Sequence, residues 1–260
     1  MTASNACLRM SPSEFGLIGS QPPVRRVLIV DDHPIVREGL RSILEREDDL
    51  TVCGEAETAR DARSAIKQLN PDVVITEFSL RQGSGIDLVR EVRAHHPRLP
   101  ILVLSSHDEA IYAERMLAAG ANGYIMKQAA SEQFLGSLRQ VLDGHIYVSQ
   151  AVGNNMIHKF AAGGPRMSAN PIERLSNREL QILHMIGKGM STRETAQSLN
   201  LSIKTIESHR QRIKRKLNLN TGSQLVRFAV SGLFNPEELP DPEDLRDPED
   251  LHGQEDFHGP

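Results

Sequence analysis

Two groups of residues in this chain have the types and spacing for chemistry. The first is Asp31-Asp32, Glu77, Ser105 and Lys127. Each stands at the end of a short apolar run: Val27-Leu28-Ile29-Val30, Val73-Val74-Ile75-Thr76, Ile101-Leu102-Val103-Leu104 and Gly123-Tyr124-Ile125-Met126. Three carboxylates, a hydroxyl and an ammonium brought together make an oxygen-rich pocket of the kind that suits Mg²⁺. The second group is the basic stretch Lys204, Arg210, Arg212, Lys214, Arg215 and Lys216. Cations along one helix neutralise phosphates, and Gln211 and Glu207 among them have the hydrogen-bonding groups for adenine and cytosine edges. Neither group comes with a Gly-rich phosphate loop, zinc-ligand spacing or a nucleophile–base pair, so no enzyme is expected.

The first group needs strands. Five apolar runs alternate with helical patterns: the four above and Leu50–Ala56, with helices expected near 34–47, 59–69, 85–96, 108–119 and 131–142. Strand-then-helix repetition predicts a parallel sheet covered on both faces. Ligand chemistry in such sheets gathers at the carboxyl ends of the strands, where these residues stand. His95 and His96 fall at a helix end and read as partners of its dipole rather than as ligands.

The second group needs helices. Ser176-Asn-Arg-Glu179, Ser191-Thr-Arg-Glu194 and Thr221-Gly-Ser-Gln224 are capping boxes, and Ser202 caps the helix between the last two. Leu180, Leu183, Ile186, Ala196, Leu199, Ile206, Ile213, Leu217, Leu225, Val226 and Ala229 form the apolar faces. The opposite face of the third helix carries Lys204, Glu207, Ser208, Gln211, Arg212 and Arg215. A helix, a short turn at Asn200-Leu201-Ser202 and a basic helix make a helix-turn-helix over about 192–211.

Composition sets the boundaries. The chain has 260 residues and a net charge of −4. That balance hides a segment from Pro171 to Leu233 with 11 Lys and Arg against 4 Asp and Glu, a net +7. It is followed by a tail of −9 from Phe234 onward. A basic module beside acidic ones points to nucleic acid. We divide the chain into a disordered arm (1–24), an α/β domain (25–148), a linker (149–172) with a short helical piece near Met156–Phe160, a four-helix domain (173–234) and an acidic disordered tail of hexapeptide repeats (235–260). No run is long enough to span a bilayer, and no signal peptide is evident. Cys53 reads as a small core residue and Cys7 falls in the arm, which agrees with a cytoplasmic chain.

These residues carry a resemblance. Asp31-Asp32, Pro71-Asp-Val-Val74, Ser105 and Gly123-Tyr-Ile-Met-Lys127 resemble the receiver domain of bacterial two-component response regulators, over about 25–148. Leu175-Ser-Asn-Arg-Glu179, Gly189-Met-Ser-Thr-Arg-Glu194-Thr-Ala196, Leu201-Ser-Ile-Lys-Thr205-Ile-Glu-Ser-His209 and Lys216-Leu217 resemble the LuxR-type DNA-binding module. Together they are similar to the LuxR/NarL-type subfamily. The resemblance implies a flavodoxin-like, doubly wound, five-stranded parallel domain followed by an all-α four-helix helix-turn-helix domain. It implies Asp31 and Asp32 as Mg²⁺ ligands, Ser105 as switch hydroxyl, Tyr124 as switch aromatic and Lys127 as the phosphate-binding lysine. By the same analogy Glu207, Ser208 and Gln211 face bases, while Lys204, Thr205, His209, Arg212, Lys214 and Arg215 contact phosphates or flank the groove.

Position 77 departs from that family, which needs aspartate there for an acyl phosphate. The extra methylene of Glu77 moves the carboxylate by about 1.5 Å, one C–C bond, against a tolerance of about 0.5 Å for a working constellation. Arg81 also stands where the family has proline. The expectation is a receiver outside ordinary phosphorylation, with Glu77 paired to Lys127 or imitating the phosphorylated state. No metal or other cofactor is expected, and Asp32 and Glu77 are the weak candidates for Mg²⁺. Expected partners are double-stranded DNA, a second copy at least on DNA, and a histidine kinase or other regulatory protein, with no membrane. The rival reading is a protein-interaction adaptor in which DNA contact is secondary.

Overall fold

The computed structural model describes residues 23–80, 84–161 and 171–234. Five strands, β1 (Arg25–Val30), β2 (Leu50–Ala56), β3 (Val73–Thr76), β4 (Ile101–Ser105) and β5 (Gly123–Met126), pair in parallel in the order β2-β1-β3-β4-β5. Helices α1 (Pro34–Leu44), α2 (Ala59–Leu69), α3 (Gly85–His95), α4 (Glu109–Ala119) and α5 (Ser131–Leu142) follow the strands in turn. Val73, Val74, Ile75, Leu102 and Val103 are buried because both sheet faces are covered, which is why these strands read as unbroken apolar runs rather than alternating ones. This is the flavodoxin-like, doubly wound arrangement. Strand order reverses between β1 and β3, and Asp31, Asp32 and Glu77 stand at that switch point.

Gly85 is required where it is. A Cβ there would lie 2.1 Å from the carbonyl oxygen of Glu77, so only glycine lets α3 start this close to the end of β3. That approach fixes the backbone from which Glu77 projects.

Helix α1 ends at Leu44, short of the expected Glu47. Its buried stripe stops there, and Glu45 caps it through a backbone bond to Arg41. A larger correction concerns the segment read as a linker. Gln150–Ala161 is a continuous helix, α6. Ser149 caps it at Val152, Val152 is buried, and Lys159 pairs with Glu114 of α4 at 2.7 Å. The helix therefore packs against α4. The sequence hid this because the helix is weakly amphipathic and leaves Ile157 and Phe160 exposed.

A 3₁₀ turn (Pro171–Arg174) leads into α7 (Asn177–Gly187), α8 (Thr192–Ser198), α9 (Ile203–Lys216) and α10 (Gly222–Phe234). The start signals are all used. Ser176–Glu179 and Ser191–Glu194 close as capping boxes, Ser202 accepts from Thr205 N, and Thr221 and Gln224 bond each other's backbone N–H. Asn200 adopts the left-handed conformation (φ 52°) in the turn before α9. The expected apolar set is buried, with one correction. Val226 is 41% exposed, and the core position of α10 is taken by Phe228. The expected arm, the Gly163–Pro165 segment, Arg81, Cys7 and the acidic tail lie outside the described residues. No described helix is long and apolar enough to cross a membrane.

Candidate functional site

Four strand ends bring the first group together. Glu77 is 4% exposed. Its Oε1 accepts the backbone N–H of Phe78 at 2.7 Å and the Ser105 hydroxyl in a short hydrogen bond. Its Oε2 lies 2.7 Å from Lys127 Nζ, which also reaches Asp31 Oδ2 at 2.6 Å. Both carboxylate oxygens of Glu77 are thus taken by the protein's own donors. Burial alone raises its pKa, but His107 and Lys127 outweigh it, and the carboxyl is held down to about 2. Burial pulls the Lys127 ammonium down, yet the charges of Glu77 and Asp31 raise it overall. The pair stays ionised throughout the physiological range.

Asp31 is braced from the other side. Arg37 donates to its backbone carbonyl at 2.7 Å and pairs with Glu55 and Glu57, while Asp31 Oδ1 accepts from His33 N at 2.8 Å. Among the described residues, the one group with metal-ligand spacing is Asp31, Asp32 and His33. Glu77, one of the two weak candidates, is not in that group. These residues do not fit the Mg²⁺ that the family implies. Lys127 and His33 hold Asp31, and Glu77 is saturated, so a dication would have to displace the ammonium. Asp32 Oδ1 is buried without a hydrogen bond, 3.0 Å from His33 Nδ1.

The switch residues lie inward. Tyr124 is fully buried, and its hydroxyl donates to the backbone carbonyl of His107 at 2.8 Å. His107 was not singled out in the sequence, although it stands two residues past Ser105. Its Nδ1 is 2.8 Å from Ser105 Oγ, and its Nε2 is 2.9 Å from Nε2 of His184 on α7. A chain of contacts, Glu77–Ser105–His107–His184, thus joins the acidic pocket to the helical domain. Burial first, then the neighbouring His107 and Lys188, lower the His184 pKa to about 2, so this imidazole is neutral. Arg115 of α4 adds a second tie. Its guanidinium donates to the carbonyls of Leu175 (2.8 Å) and Ile172 (3.2 Å) and to Asn177 Oδ1 (3.2 Å).

The second group lies on α9. Lys204, Glu207, Ser208, Gln211, Arg212 and Arg215 are exposed on one face, opposite buried Ile206 and Ile213. Thr205, His209 and Lys214 are half-buried at its edges. Ser208 Oγ bonds back to Lys204 O, and Thr205 Oγ1 bonds Ser202 Oγ at the helix start. Burial, then Arg212, lowers the His209 pKa, so it offers an imidazole rather than a cation. Lys216, part of the basic stretch but not of the expected DNA-contacting set, is turned inward. Its Nζ is 2.6 Å from Glu179, the closing residue of the α7 capping box, so it ties α9 to α7.

An open α/β domain with an acidic switch point, carrying a helix-turn-helix domain with a free basic face, defines a two-domain DNA-binding regulator. Residues 27–139 match the response regulator receiver domain, and residues 173–229 match the bacterial regulatory proteins of the luxR family. The chain is 35% identical over 209 residues to the oxygen regulatory protein NreC of Staphylococcus carnosus, covering 79% of this chain and 96% of that one. NreC of Staphylococcus aureus strain JH9 is 34% identical over the same length and shares. Among solved structures, RcsB of Salmonella typhimurium superposes with a TM-score of 0.64 at 28% identity, over 80% of this chain and 98% of that one. RcsB bound to the promoter rprA, in the presence of phosphomimetic BeF3-, gives 0.60 at 29% identity, over 80% and 99%. The chain belongs to the LuxR-type response regulators, DNA-binding transcription regulators and not enzymes.

Proposed function

We propose that this chain is a sequence-specific transcription regulator that works without aspartate phosphorylation, with Glu77 standing in for the trigger. One observation carries the reading. The Glu77 carboxylate takes a hydrogen bond from Ser105 and an ion pair from Lys127, the two groups that the family resemblance assigns to a phosphoryl group. Tyr124 lies buried behind them. A phosphoryl group would have to displace these contacts.

The output is double-stranded DNA, read by the exposed face of α9 in the major groove. RcsB, a structural neighbour, has been solved on promoter DNA. Val226 and Val230, exposed one helical turn apart on α10, suit pairing with a second copy on a two-fold site. A DNA target of this kind supports a cytoplasmic site of action.

The test is promoter binding by the purified full chain, with and without acetyl phosphate and Mg²⁺. We expect binding without the donor, no gain of affinity with it, and no phosphoryl group by mass spectrometry. Glu77→Gln removes the charge that holds Lys127 and should weaken binding by at least about fivefold, the low end of an ordinary coupling energy. Stable phosphorylation of Glu77 with tighter binding would overturn the reading. An absence of any sequence preference would favour the adaptor.

A further inference from the structure

The two domains enclose a cavity of about 380 Å³ that the DNA-binding function does not use. That volume lies in the range of small-molecule sites. Its walls come from both domains: Ile111 and Tyr112 of α4 on one side, Leu180 and Leu183 of α7 and Phe228 of α10 on the other. All five are buried side chains. The end nearest the carboxyl ends of β3, β4 and β5 is polar, with Glu77, His107 and Lys127, and His184 lines the cavity beside His107.

Three observations say what would fill it. The aromatic rings cluster: the His107 centroid lies 4.9 Å from that of Tyr112 and 4.0 Å from that of His184. Such surfaces favour a flat unsaturated guest over an aliphatic one. Charges within the cavity are mostly cancelled, since Glu77 and Lys127 hold each other and Asp108 caps α4. Lys188, exposed at the C-terminal end of α7, has no ion-pair partner among the described residues. Finally, Nδ1 of His184 is buried without a hydrogen-bond partner among the described residues, although this side chain is more than nine-tenths buried. Buried polar groups in folded proteins are nearly always partnered.

We propose that this cavity is a ligand site for an apolar, largely aromatic molecule bearing one acidic group, with the ring system between Tyr112 and Phe228 and the acid at Lys188. The inference goes beyond the transcription-factor reading and does not depend on it, because binding is measured without DNA. A guest there touches the receiver and the DNA-binding domain together, so its occupancy and the affinity for DNA are linked in both directions.

The test uses two dyes on the full chain. One is 1-anilinonaphthalene-8-sulfonate, aromatic and anionic. The other is N-phenyl-1-naphthylamine, the same framework without the sulfonate. We expect one saturable site for the anionic dye by fluorescence titration. Lys188→Ala should weaken the anionic dye by about fivefold, the upper range for an exposed ion pair, and leave the neutral one unchanged. Ser106 is exposed at the cavity wall, so Ser106→Trp fills the space from the surface without disturbing the core. It should abolish both signals while the circular dichroism spectrum of the fold persists. Non-saturable binding, or binding indifferent to Ser106→Trp, would overturn the proposal. Should Ser106→Trp fail to fold, Leu183→Phe narrows the same cavity from the other domain, and unchanged dye affinity there overturns it equally.

Discussion

Glu77 is held by the Phe78 N–H, the Ser105 hydroxyl and the Lys127 ammonium, and that makes its charge a stability element as well as a switch element. Its folded pKa, about 2, lies below the ordinary 4.5. A depressed carboxylate contributes stability that is present above the unfolded pKa and is lost as pH falls from about 4.5 toward 2. Glu77→Gln should therefore cost about 1.5–3 kcal/mol at pH 7, the range for hydrogen bonds to a charged group. The difference from wild type should shrink by pH 3, as urea denaturation at the two pH values will show. A constant difference would mean that shape rather than charge matters at position 77. On α9, the exposed Arg212 and the tethered Lys216 separate two roles for one charge. Arg212→Ala should weaken DNA binding on every sequence and lower the salt slope by about one, whereas Gln211→Ala should relax preference at a single base pair by about 1–3 kcal/mol. Lys216→Ala should instead lower the melting temperature and leave the salt slope alone. Anisotropy titrations over a salt series distinguish them.

Capping decides the helical domain at the level of elements. Four successive helix starts are closed by side chains that the sequence displays three residues apart, which is why this half was legible almost residue by residue. Ser202→Ala removes the cap at the start of α9 and should cost about 1 kcal/mol, while Ser202→Asp should restore most of it. Thermal melts of the two variants check this. The strands were legible for a related reason, since buried parallel strands appear as unbroken apolar runs. Helix α6 was not, because its hold on α4 depends on an ion pair and one buried valine rather than on a full apolar stripe. Phe228 stands three residues after buried Leu225 and so shares its face, whereas Val226 lies about 200° from Phe228 and faces outward; helical spacing from Leu225 carries the signal for Phe228.

The contacts between domains could not be read from the sequence at all. His107 and His184 stand 77 residues apart, and no local pattern links them. Their meeting has a pH signature. His184 is neutral when docked, with a pKa lowered to about 2 by burial, then by His107 and Lys188, against a weaker opposing effect of Glu77. Undocked, an imidazole titrates near the ordinary 6.5. Docking is therefore unopposed above about pH 6.5 and is disfavoured progressively below it, by about 2 kcal/mol at pH 5. Small-angle scattering should show a more extended chain at pH 5 than at pH 7.5, and His184→Gln should flatten that response. The same dependence in His184→Gln would place the titrating group elsewhere.

Arg115 grips mainly main-chain oxygens of the segment that enters α7, those of Ile172 and Leu175. Every amino acid supplies such an oxygen, so this clasp survives almost any side-chain substitution at those two sites. A chimera that grafts a homologue's reading head onto this receiver should stay latched through Arg115 even where few of the grafted residues match. Binding preference is thus free to diverge while the mechanical joint is inherited unchanged.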